Sequence, residues 1–227
     1  MICGAGVLPA RMAGEARRHG WRVVAFTFGE APGVTDHADR TIPARVNEAG
    51  AVLTALQHER IGAVVFSGKF WMKDLLQERP DAALAEMKVR AGALVDANIV
   101  QVVAMTLSRL GIELLDQRPF LGDWLSRSGC WSSRAPTDAE WTDVRRGLAV
   151  ARLVADAAVG QTVVVKAAAR EHDYRFDTPG VGPETIEVAA AGGAKVVAVE
   201  AERVLVLDRA ECLRIADRAG MALVGVE

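Results

Sequence analysis

Charged residues stand at alternate positions, Asp173, Arg175 and Asp177, in the run KAAAREHDYRFDTPGVGPETI, and the last of them leads into Thr178, Pro179, Gly180, Gly182 and Pro183. Side chains on an extended strand repeat every two residues, so this spacing predicts one shared face for all three. Two carboxylates around a guanidinium suit phosphoryl chemistry. Carboxylate oxygens hold a hard divalent cation, and the guanidinium fork grips phosphate oxygens. The glycines let backbone approach a ligand, and a helix beginning at Pro183 turns its positive end toward an anion. Lys166 opens the same run. The pattern equally suits an ion-pair ladder on an exposed edge strand, and spacing alone leaves both readings open.

Weaker candidates lie elsewhere. Gly4 and Gly6 in GAGVLP follow a short apolar start and precede a helical stretch, where backbone N–H groups can meet a phosphate. The third glycine of a dinucleotide fingerprint is replaced by Pro9, so a plain tight turn fits as well. Lys69 in FSGK sits on a loop after an apolar run, where it can pair with an anion, although the spacing is not that of a P-loop and a solvated lysine is the commoner case. His19, His37, His58 and His172 show no zinc-ligand spacing, and no serine lies in a G-x-S-x-G elbow. Cys3, Cys130 and Cys212 are scattered and odd in number, which fits reduced thiols.

The elements that must position these residues read as alternating strands and helices. MICGAGVLPARMAGEARRHGWRVVAFTFGE is a strand end, a glycine turn, a helix over about 9–19 and a strand, and AVVFSGK closes a second βα unit. A helical region is expected over 74–111, with IELLDQ as a closing strand. Residues 118–136 lack periodicity and hold the expected domain boundary, giving an N-terminal domain 1–130 and a C-terminal domain 131–227. A long amphipathic helix then restarts, capped by Thr137 or Asp138. The fold class is α/β: two small α/β domains, an N-terminal Rossmann-like parallel sheet and a C-terminal α/β domain.

Composition narrows the classes. At 227 residues the chain can bury a core, and with 51% hydrophobic residues it still lacks the roughly 18 consecutive apolar residues of a membrane span. No secretory signal opens it, so a soluble, cytoplasmic protein is expected. The 27 basic and 29 acidic residues are interspersed, which predicts no nucleic-acid partner. Trp124, Trp131 and Trp141 in the middle stretch read as a partly buried linker or interface.

In order along most of the chain, GAGVLP, VVFSGK, AVGQTVVVK, YRFDTPGVGPETI and AAAGGAKVVAVEAERVLVLDRAECLRIADRAGMALVGV resemble the LpxI family, the UDP-2,3-diacylglucosamine pyrophosphatases of lipid A synthesis. The resemblance implies a dimeric two-domain α/β enzyme that hydrolyses UDP-2,3-diacylglucosamine to UMP and 2,3-diacylglucosamine 1-phosphate with Mg2+ or Mn2+. The family's essential aspartate, in V-D-L-P-T-I-G, falls on Asp177 in F-D-T-P-G-V-G. Asp177 is thus the expected catalytic residue, and Asp177 with Asp173 the expected metal ligands. Gly4, Gly6, Lys69, Lys166, Arg175, Thr178 and Gly182 are the expected substrate- and phosphate-binding residues. The implied partners are a UDP-sugar lipid and a second copy of the chain, with peripheral contact at the inner membrane surface. Apolar helical faces around Ala91–Leu110 offer an acyl groove, although such stripes are usually core.

Departures from the family pattern are specific. Strand one is shortened to Met1–Cys3, and GQTVVVK joins what are two sides of a longer stretch in the family, so an acidic E-G-T-D is absent. A proline, a basic residue and a glutamine of the family become Ala168, Ala169 and His172, and of a middle G-D-D only Asp96 matches. Two functions follow: a compact metal-dependent pyrophosphatase, or a catalytically lapsed nucleotide-sugar or lipid binding protein. Fold cannot choose between them, because function lives in the site.

Overall fold

The structure is a computed structural model describing residues 1–70, 79–91, 96–156 and 165–227. The chain divides into two compact units, Met1–Phe120 with Tyr174–Asp177, and Leu121–Asp173 with Thr178–Glu227.

The first unit begins with β1 (Ile2–Cys3), α1 (Leu8–Arg18), β2 (Val24–Thr27) and β3 (Arg40–Pro43). Pro9 sits in the first turn of α1, where a missing N–H costs nothing, and Arg17 and Arg18 face the negative end of its dipole. Gly20, at φ 82°, lets the chain turn out of the helix. Next come α2 (Ala49–His58), β4 (Ala63–Val64), β5 (Phe66–Ser67), α3 (Ala82–Ala91), α4 (Asp96–Arg109) and β6 (Glu113–Leu114). The main sheet has the order β3-β2-β1-β5, all parallel, and β4 pairs separately with β6. Ile2, Val24, Phe26, Leu56, Val64 and Leu107 form its core with Ile112.

Two strands carry detail that the local reading did not. The single apolar run AVVFSGK divides at Val65, whose carbonyl accepts from Ile2 N at 2.9 Å, so that β4 and β5 serve different sheets. β3, Arg-Thr-Ile-Pro, has no apolar alternation, because it is an edge strand where arginine and proline are tolerated. Of the helical region expected over 74–111, residues 74–78 and 92–95 lie outside the described residues. Within the rest, Leu107 is buried and Val103 and Leu110 pack on the core, while Val89 and Met105 are exposed.

The second unit holds β7 (Gly129–Cys130), α5 (Asp138–Asp156), β8 (Val165–Lys166), β9 (Gly180–Val181), α6 (Pro183–Ala191), β10 (Val196–Glu200), β11 (Leu205–Val206), α7 (Arg209–Arg218) and β12 (Ala222–Val226). Its sheet runs β7-β12-β10-β8, with β7 alone antiparallel, and β9 pairs in parallel with β11. The expected helix start is present as a reciprocal cap: Thr137 N donates to Glu140 Oε2 at 2.8 Å, and Glu140 N donates to Thr137 Oγ1 at 3.3 Å.

β10 is buried on both faces, and its period of two separates two cores. Val197 and Val199 join Ile186, Ile215 and Leu223, whereas Val196 and Ala198 join Val144, Leu148 and Ala151 of α5. Those α5 residues recur at helical spacing, which makes one apolar stripe. Gly147 lets α5 come close to β8, since a Cβ there would stand 2.8 Å from Val165 Cγ2. Among the described residues no helix is long and apolar enough to cross a membrane.

Candidate functional site

In the first unit the chain leaves β1 toward β2 on one side, while β5 lies on the other. Ligands of open α/β sheets bind outside the carboxyl ends of strands at such a switch point. The two loops that meet there are Gly4–Gly6 and Gly68–Lys69. They interlock by paired backbone bonds, Ala5 N to Lys69 O at 2.9 Å and Lys69 N to Ala5 O at 2.8 Å.

The glycines permit this approach. A Cβ on Gly4 would lie 2.4 Å from Lys69 O, and one on Gly68 would lie 2.8 Å from the carbonyl oxygens of Gly4 and Ala5. Gly4 N donates to Ser67 O at 2.8 Å and Gly6 N to Glu30 O at 2.9 Å. These amides therefore hold a tight turn, and a phosphate at this end would be met by other groups. The Lys69 side chain is exposed at the same end.

Tyr174–Asp177 is the one stretch after Phe120 that belongs to the first unit. Gln117 N donates to Tyr174 O at 2.9 Å, and the Arg118 guanidinium lies 4.1 Å from the centre of the buried Tyr174 ring. Such a cation–π contact contributes about 0.5–2 kcal/mol. Asp116 orients Arg118 through Oδ2, 2.6 Å from Nη2, and this bond foremost raises the guanidinium's already high pKa. Phe176 packs on Phe66, the first residue of β5, with ring centres 5.0 Å apart. Asp177 itself is exposed, while Thr178 and Pro179 after it are buried.

The shared strand face expected for Asp173, Arg175 and Asp177 is corrected here. Residues 174–176 form a turn, and no strand spans 173–177. The period of two does not apply, because Asp173 belongs to the second unit whereas Arg175 and Asp177 belong to the first. Paired backbone is replaced by side-chain anchors, the rings of Tyr174 and Phe176.

The second unit carries Lys166, Asp173, Thr178 and Gly182. Lys166 ends β8, opposite Val199 of β10. Gly182 precedes α6, its N–H donating to Thr185 Oγ1 at 3.5 Å, and Pro183 is the first helical residue as expected. Sequence reasoning missed Glu200, which ends the apolar strand V-V-A-V-E with a buried carboxylate, and its partners Arg152 and Arg203. A charge closing a wholly apolar run was the available signal.

As to a metal, no group of three or more His, Cys, Asp or Glu stands together among the described residues. The expected donors are carboxylates, Asp177 in the first unit and Asp173 in the second. Their chemistry fits Mg2+, which is commonly held by one or two carboxylates and completed by substrate phosphates and water.

Comparison with known proteins agrees with this architecture. The model of the LpxI N-terminal domain matches residues 1–124, and that of the LpxI C-terminal domain matches residues 127–169 and 163–224. The UDP-2,3-diacylglucosamine pyrophosphatase LpxI of Caulobacter vibrioides (strain ATCC 19089 / CIP 103742 / CB 15) is 23% identical over 274 positions, covering 100% of this chain and 96% of that protein. Against the chain's 227 residues, 274 aligned positions leave a difference of 47 with no residue here. The two C-terminal matches share residues 163–169, which puts the shortening at the stretch where GQTVVVK joins two sides of the family pattern. With models of both domains matched in order along its length, the chain belongs to the LpxI family.

Proposed function

We propose that this protein hydrolyses the pyrophosphate bond of UDP-2,3-diacylglucosamine, giving UMP and 2,3-diacylglucosamine 1-phosphate in lipid A biosynthesis. Family membership supports this reading, as does the pyrophosphatase relative aligned over the whole chain. The observation that carries it is Asp177, an exposed carboxylate between an anchored Phe176 and a buried Thr178. Anchoring on both sides holds a carboxylate in place for a reacting group, and such positioning supplies a large part of catalysis.

In the reaction a water oxygen bonds to the UMP-side phosphorus as that phosphorus releases the bridging oxygen. The bridging oxygen leaves with the sugar 1-phosphate, and one water proton goes to solvent. Asp177 would hold the divalent cation or orient the attacking water, and the family resemblance assigns Asp173 to the cation as well. Mg2+ or Mn2+ bound with the substrate would neutralise phosphoryl oxygens. Lys69 and Arg175 of the first unit and Lys166 of the second would supply positive charge for the phosphates; Gly4 and Gly6 shape the loop beside Lys69, and Thr178 and Gly182 lie ahead of α6. A homodimer and peripheral contact with the inner membrane complete the reading, since a diacylated substrate resides in a membrane.

The 47 missing positions favour a second reading, a family member that binds a nucleotide sugar or lipid without hydrolysing it. Phosphorus NMR of UDP-2,3-diacylglucosamine, with UDP-GlcNAc beside it, in Mg2+ or Mn2+, separates the two. UMP release by the wild type that vanishes in Asp177→Ala supports the hydrolase. No turnover of either substrate above that variant overturns it in favour of the binding protein.

A further inference from the structure

Glu200 ends β10, at the carboxyl end of the three parallel strands β8, β10 and β12. Its side chain is 3% exposed, and its partners tie down separate stretches of the chain. Oε1 accepts from Arg152 Nε of α5 at 3.0 Å, and Oε2 accepts from Ala168 N at 3.0 Å. Arg203 stands 3.5 Å from Oε1 and donates through Nη2 to the carbonyls of Ala169 at 2.6 Å and Arg170 at 3.3 Å. The carboxylate and one guanidinium thus hold three consecutive residues, 168, 169 and 170.

Those residues lie between Lys166 and Asp173, and Ala168 is buried. Ala167, Ala168 and Ala169 carry no polar side chain, and the turn beyond them is closed by His172 N to Ala169 O at 3.1 Å. The anchor is itself fixed: Ser126 Oγ donates to Glu200 O at 2.8 Å, Glu202 N donates to Ser126 O at 2.8 Å, and Ala201 N donates to Val226 O at 2.7 Å. Burying a carboxylate is an expensive way to support a fold that already has two apolar cores, and its better-attested use is to specify one conformation.

We propose that Glu200 and Arg203 are positioning residues for the pyrophosphatase reaction, holding loop 168–170 so that Lys166 and Asp173 meet the substrate in a fixed geometry. This rests on the hydrolase reading above. Neither residue touches substrate. They act through the loop, as the supporting shell of a site does.

The test uses the full chain with Arg203→Leu, Arg203→Lys and Glu200→Gln. It measures kcat and KM on UDP-2,3-diacylglucosamine, melting temperature, and amide hydrogen exchange over 167–173. Arg203 is the primary site because its side chain is partly exposed and its loss leaves Arg152 on Glu200. In Arg203→Leu kcat is expected to fall on the order of 10- to 100-fold at nearly constant KM. Exchange should quicken at 168–173 and not in α5, α6 or α7, and Arg203→Lys should recover part of kcat. An unchanged kcat in Arg203→Leu beside an active wild type overturns the positioning role alone. So does a loss of kcat matched by faster exchange throughout the unit. An inactive wild type overturns the hydrolase reading, and the positioning role with it.

Discussion

The ring of Phe176 packs against that of Phe66 at 5.0 Å, one residue before Asp177. Phe66 in turn meets Phe70 at 6.1 Å, and Phe70 meets Phe28 at 5.9 Å, so the segment is clasped to a row of rings at the ends of β2 and β5. An aromatic pair contributes about 0.5–1.5 kcal/mol beyond its buried area. Phe176→Ala should therefore loosen 174–177 without unfolding the unit. Faster amide exchange confined to that stretch is expected, with a kcat on UDP-2,3-diacylglucosamine reduced about tenfold or more. Unchanged turnover would mean that Asp177 is placed by Thr178 and Pro179 instead.

Interlocking of the loops after β1 and β5 predicts a sharp steric limit at Gly68. Its φ of 81° disfavours any side chain, and a Cβ would meet two backbone carbonyls at 2.8 Å. Gly68→Ala is expected to cost about 1–3 kcal/mol, read as a lower urea midpoint. Gly62→Ala serves as the control, since a Cβ there meets nothing within 4 Å, and its effect should stay within about 0.5 kcal/mol.

Thiol reactivity should separate the cysteines. Burial pushes the Cys3 and Cys212 thiols up to about 11, whereas Cys130 is exposed. Titration of the native protein with an aromatic disulfide at pH 8 should therefore show one fast thiol, Cys130. The other two should react only on unfolding. Fast reaction of Cys212 would show that α7 opens readily from its sheet.

Glu59 should contribute to acid sensitivity. Its carboxylate accepts from Arg22 Nη2 at 3.0 Å and pairs with Arg40 of β3, and the Arg22 bond foremost holds its pKa below the ordinary 4.5. A lowered folded-state value means that this stabilisation is complete above pH 4.5 and is lost as pH falls below it. Glu59→Gln should lower stability at pH 7 and flatten the fall in stability below pH 4.5, followed by urea midpoints across pH. Parallel curves for variant and wild type would show that other carboxylates govern the acid limb.

Much of the fold was legible because its signals are local. The Thr137–Glu140 cap, the stripe Val144, Leu148, Ala151 and Pro183 at a helix start each involve residues within two turns of one another, so backbone geometry alone relates them. The same holds for β10, whose alternate side chains feed two cores because every second residue faces the same way. Family membership was also readable, since motifs in order survive even where an internal stretch is missing.

By itself, then, the sequence determined the βα rhythm, the helix starts, the α/β class and the candidacy of Asp177. Tertiary structure decided where that aspartate belongs. The alternation Asp173, Arg175, Asp177 suggested a strand, but Tyr174 and Phe176 find Arg118 and Phe66, and those ring contacts outweigh the extended conformation. The same is true of Glu200, whose meaning depends on Arg152, Ala168 and Arg203 coming together from three separate stretches. Contacts between residues distant along the chain leave no local period to read, because they exist only once the elements have packed.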